Sequence, residues 1–179
     1  MGWSWGHLLG ARAPDVRLPF APGEVLTGSV VGLADLARRR SLVVSFYGDL
    51  VPLDARRGES KARRGEIELE RARAQGWRDY DVELGELGYE VVGVSAQSAE
   101  VQAQFAEDWL LGFTLLSDKG LLLADELGLP TRRAPAGERV YDALTIVIRD
   151  GYISRVLYPV DCLECEAAMV TASIRTRRV

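Results

Sequence analysis

Short apolar runs punctuated by glycine and aspartate set the pattern of this chain. Leu42-Val43-Val44-Ser45-Phe46-Tyr47 is rich in β-forming residues and stops at Gly48-Asp49, which predicts a short strand buried on both faces. Residues 89–95 predict a second such strand, and 113–116, ended by Ser117-Asp118, a third. Residues 144–148 and 152–158 flank Asp150-Gly151, a strong hairpin signal. Near the start, Val16 and Leu18 alternate as in a short strand or extended arm. Between these runs the spacing turns helical. Residues 33–40 predict one or two turns, capped from 27–29. Val101, Phe105 and Trp109 recur at i, i+4, i+8 within a helix over 99–110, which Ser95 could start. Residues 121–127 form a short helix stopped by Gly128, a polar loop runs from Leu129 through Gly137, and 161–174 is the last helix. The stretch 52–87 is dense in Arg and Glu. It predicts a helix over 66–77 with a weak apolar stripe (Ile67, Glu70/Arg71, Ala74) and a second helical piece to Leu87, with Gly58, Gly65 and Gly76 interrupting.

A βαβ part followed by a ββα part implies an α/β fold, a central mixed sheet with helices on both faces, which is the thioredoxin-like arrangement. The 179 residues suggest one domain, expected over 10–179 after a flexible N-terminal segment, 1–9.

Composition narrows the function classes. Apolar residues make up 47% and charged residues 27%, as in a globular chain with a substantial core. A net charge of −4 gives no bias toward nucleic acid, and the Arg/Glu stretch reads as a solvated face. No apolar run approaches the roughly 18 residues of a membrane span, and residues 1–10 lack the pattern of a signal peptide. The single histidine, His7, reads as a surface residue, which argues against histidine triads and multi-histidine metal sites. Two cysteines, Cys162 and Cys165, form one C-x-x-C; in a chain without an export signal such a pair suggests a reducing cytoplasm and redox or metal chemistry.

The motifs together resemble peroxiredoxins. Gly10 with Ala13-Pro14-Asp15, Leu33-Ala34-Asp35-Leu36 and Val43 to Tyr47 are similar to that family's opening; Leu87 to Ser95, Leu115-Leu116-Ser117-Asp118 and Ala124 to Leu129 are similar to its middle. The resemblance covers roughly residues 10–175 and implies a thioredoxin fold, no cofactor, and a readily formed homodimer. It also implies a peroxide-attacking thiolate in a Pro-x-x-x-Thr-x-x-Cys loop after the Phe-Tyr strand. Counted without a gap, the Pro, Thr and Cys positions fall on Gly48, Pro52 and Ala55, so the loop has no nucleophile. The family's arginine near the start of the penultimate strand is also missing from Tyr141-Asp142-Ala143-Leu144. The C-x-x-C lies where atypical two-cysteine members keep a resolving cysteine, just before the last helix.

The residues around the pair can be read physically. Asp161 as N-cap and Glu164 at N3 would put Cys162 at N1 and Cys165 at N4 on one helical face. Backbone N–H groups and the helix dipole then favour a Cys162 thiolate that attacks, with Cys165 resolving, against acidic neighbours that raise thiol pKa values. Alternatives are two small buried residues packing the last helix, or half of a zinc site completed by a symmetric dimer. The vacated pocket, expected at the carboxyl end of its strand, presents Tyr47, Asp49, Asp54 and Arg56, a set suited to acid–base work on a small molecule or simply a solvated loop. Three functions follow: a cytoplasmic thiol–disulfide oxidoreductase acting on a small-molecule or protein disulfide, a repurposed non-redox enzyme, or a binding and assembly module. None implies a metal, nucleic acid or a membrane as partner.

Overall fold

The computed structural model describes residues 5–21, 30–49, 61–134 and 137–176. Its centre is β3 (Ser41–Phe46), which pairs in parallel with β4 (Tyr89–Ser95) and antiparallel with β8 (Leu144–Arg149). Outward on one side lie β5 (Thr114–Ser117), β1 (Arg17–Ala21) and β2 (Val30–Gly32), and on the other β9 (Tyr152–Leu157), giving the order β2-β1-β5-β4-β3-β8-β9. β3, β4 and β5 run parallel, and β1, β8 and β9 antiparallel to their neighbours, so the sheet is mixed as the element order implied.

Both faces of β3 are buried, which is why its sequence is a continuous apolar run. Leu42, Val44 and Phe46 pack with Leu33 of α1 (Leu33–Arg39) and Leu123 of α4 (Leu122–Leu127). Val43 and Tyr47 face the other layer, with Trp77 of α2 (Lys61–Glu86), Phe105 of α3 (Ala99–Trp109) and Val170 of α5 (Glu166–Arg175). Ser98, not Ser95, caps α3, its Oγ accepting the Val101 N–H. Asp150 and Gly151 both take positive φ, 53° and 80°, as the two-residue turn between β8 and β9 requires.

Four further expectations need correction. The charged stretch is one 26-residue helix rather than two pieces, because Gly65, Gly76 and Gly85 cost a helix interior only about 1 kcal/mol each against Ala, which packing offsets. The last helix starts at Glu166, not near Asp161; Cys165 is its N-cap and makes no side-chain capping bond. The loop after Leu129 contains strand β6 (Thr131–Arg133), paired with β7 (Arg139–Tyr141) as a small second sheet. Over its described part the N-terminal segment is docked rather than free: Trp5–His7 form a 3-10 turn, Leu8 is buried, and Trp5 meets Tyr158 edge-on. Residues 27–29, expected to cap α1, lie outside the described residues, and Gly32 at that N-cap offers no side chain. Trp77, Trp109 and Phe113 are core residues, and Tyr80 packs against them.

Candidate functional site at the end of β3

β3 delivers Tyr47, Gly48 and Asp49 to the carboxyl end of the sheet. Tyr47 is fully buried, and burial pushes its phenol pKa up, so the ring stays neutral. Asp49 accepts a hydrogen bond from Gln97 Nε2 at 2.9 Å. Pro52, Asp54, Ala55 and Arg56 lie outside the described residues. Of the expected pocket, Tyr47, Gly48 and Asp49 are among the described residues.

What meets them there comes from α2, and the sequence pattern missed it. Glu70 and Arg73 lie on the helix face that also carries Ile67, Ala74, Trp77 and Leu84, and all six side chains are buried. The weak stripe is weak because two of its members are charged. Glu70 Oε1 accepts the Gly48 N–H at 3.2 Å. Burial raises the Glu70 pKa above the usual glutamate range, against the opposing pull of Arg73 and of that N–H. Gly48 suits the close approach: an added Cβ would lie 2.8 Å from Arg132 Nη2, 3.2 Å from Glu70 Oε1 and 3.3 Å from the Tyr141 carbonyl oxygen.

Arg73 is the hub. Its guanidinium donates through Nη1 to the Phe46 carbonyl at 2.5 Å and through Nη2 to the Leu144 carbonyl at 3.0 Å. It forks onto Glu166 from Nε at 2.6 Å and Nη2 at 3.2 Å, and its Cζ sits 5.0 Å from the Tyr47 ring centroid. Burial opposes the charge on Arg73, but Glu166 and Glu70 outweigh it and the guanidinium's pKa is raised. A guanidinium thus reaches the start of β8 from α2, at the Leu144 carbonyl.

Cys162 and Cys165 form a disulfide with Cα atoms 5.3 Å apart. They lie in a turn ahead of α5, so Cys162 is not at N1 and the helix-dipole argument for it weakens. One local donor remains, the Cys165 N–H, 3.2 Å from Cys162 Sγ. The alternative of two buried packing residues does not hold, because Cys165 is exposed and Cys162 half-buried. Zinc would need both thiolates free. The pair joins the β3 site only indirectly, through Glu166, the next residue after Cys165.

A mixed sheet of this order, with a central βαβ unit and a ββα close, is a thioredoxin-class fold. The AhpC/TSA family matches residues 71–156. The chain is 34% identical over 151 residues to peroxiredoxin Bcp of Escherichia coli K12, covering 82% of this chain and 83% of that one. It is 42% identical over 55 residues to the chloroplastic peroxiredoxin Q of Sedum lineare, which spans 31% of this chain and 30% of that one. Among solved structures, peroxidoxin BcpB of Mycobacterium tuberculosis superposes with a TM-score of 0.71 at 24% identity over 96% of this chain and 98% of that one. A PrxQ variant of Xylella fastidiosa superposes with a TM-score of 0.74 at 14% identity over 96% and 97%. The chain belongs to the peroxiredoxin family. It is a peroxiredoxin-like redox protein whose cysteines all lie in the Cys162–Cys165 pair.

Proposed function

We propose that this protein is a thiol–disulfide oxidoreductase of the peroxiredoxin family, working through Cys162 and Cys165. The observation that carries the reading is a disulfide between the two sole cysteines in a turn that solvent reaches. In the reduced protein the Cys162 thiolate, favoured by the Cys165 N–H, attacks one sulfur of a substrate disulfide. That S–S bond breaks, one substrate thiol leaves, and a mixed disulfide remains. The Cys165 thiolate then attacks Cys162, closing the internal disulfide and releasing the second thiol. Two electrons have passed to the substrate, and an external thiol pair restores the dithiol. The substrate is a small-molecule or protein disulfide, the compartment the reducing cytoplasm, and the working form a homodimer. No helix among the described residues is long and apolar enough to cross a membrane.

The test is dithiol-driven reduction of an aromatic disulfide and of insulin by the full chain and by Cys162→Ser/Cys165→Ser. The wild type should turn over both substrates repeatedly and the double variant neither. Equal rates would sink the proposal, and peroxide consumption by the double variant would move the activity elsewhere. A second reading, non-redox acid–base chemistry at the end of β3, is favoured by one observation: a buried carboxylate, Glu70, beside a guanidinium and a phenol.

A further inference from the structure

The C-x-x-C turn rests on α2 on both sides of Cys165. On the C-terminal side, Glu166 is held by the Arg73 fork at 2.6 and 3.2 Å, with both side chains shut off from water. On the N-terminal side the Glu164 carbonyl lies against Gly76, where an added Cβ would come within 3.8 Å of it. Arg73 is itself anchored on the Phe46 and Leu144 carbonyls, at the middle of the sheet. Two cysteines close a disulfide only with Cα atoms roughly 4.4–6.8 Å apart, and theirs are 5.3 Å apart. A turn pinned at this separation keeps each thiol at high effective concentration beside the other.

We propose that Arg73 and Glu166 are positioning residues for the Cys162–Cys165 couple: their buried ion pair holds the turn in its closing geometry and so favours the disulfide over the dithiol. The inference rests on the redox reading above. It concerns the balance in which the protein dithiol and glutathione disulfide give the protein disulfide and two glutathione thiols.

The measurement equilibrates the full chain in glutathione buffers without oxygen, quenches by alkylation and counts free thiols by mass spectrometry. Replacing the pair with apolar residues of similar length, Arg73→Met/Glu166→Met, removes the clamp without stranding Glu166, while Glu70 keeps the Gly48 N–H. The equilibrium constant for disulfide formation should fall about tenfold or more, as expected when a preorganised geometry is lost. The exposed pair Arg139–Asp125, replaced in the same way, should leave it unchanged. Arg73→Lys keeps the charge without the fork and should give an intermediate fall; it also serves if the double variant does not fold. A constant within about twofold of wild type in a folded variant overturns the proposal, since a merely structural pair would change stability alone. A wild type that forms no disulfide at any glutathione ratio overturns the redox reading itself.

Discussion

Arg73→Ala is the sharpest test of how this fold tolerates charge in its core. The substitution removes a guanidinium with no exposed side-chain surface, leaving the Glu166 carboxylate, itself 1% exposed, without its partner at 2.6 Å. Stranding one member of a buried pair costs about 3–5 kcal/mol, because the remaining ion keeps its desolvation penalty and loses its compensation. The Phe46 and Leu144 carbonyls also lose a donor, each worth about 0.5–1.5 kcal/mol. For a chain of this size each kcal/mol moves the melting temperature by roughly 2–4 °C, so the stranded carboxylate alone should lower it by roughly 6–20 °C. The assay is urea unfolding followed by circular dichroism, with a thermal scan beside it. Arg73→Met/Glu166→Met should recover most of the loss, since apolar replacement of a whole buried pair is often neutral. A loss under about 1 kcal/mol for Arg73→Ala would refute the reasoning, because typical surface substitutions cost no more.

Two further outcomes follow from the same surroundings. Burial raises the pKa of Glu70 in the folded chain, so the folded state holds that proton more tightly than the unfolded one, and Glu70 lowers stability as pH climbs past about 4.3. Glu70→Gln should therefore lose less stability than wild type between mildly acidic and neutral pH; parallel unfolding curves across that range would contradict this. Tyr141→Phe removes a hydroxyl that donates to Asp118 Oδ2 at 2.5 Å and accepts the Ala124 N–H at 3.1 Å. Leaving these buried groups short of a partner should cost about 1–3 kcal/mol in chemical denaturation, and a neutral result would mean water replaces the phenol.

The strands were legible because a strand buried on both faces has to be apolar throughout. Residues 89–95 were predicted as a strand and β4 is Tyr89–Ser95. Asp150-Gly151 gave its hairpin for an equally local reason, the positive φ that a two-residue turn demands. The family was legible from the order of such runs, and the C-x-x-C from the cysteine count alone. Helix boundaries were less so. Glycines at 65 and 76 weigh against a helix locally, yet α2 runs through both because its far turns pack on the sheet and on α5.

What only the tertiary structure decided is where the charges of α2 go. Periodicity cannot separate a solvated Glu or Arg from a buried one, because both break an apolar stripe in the same way. Arg73 is buried because a carboxylate 93 residues away, on another helix, meets it at the end of β3 and satisfies it. That partner is not written in the neighbourhood of either residue. The sequence determined that all thiol chemistry runs through Cys162 and Cys165. Folding decided that their turn would rest on an arginine of α2 that also reaches the start of β8.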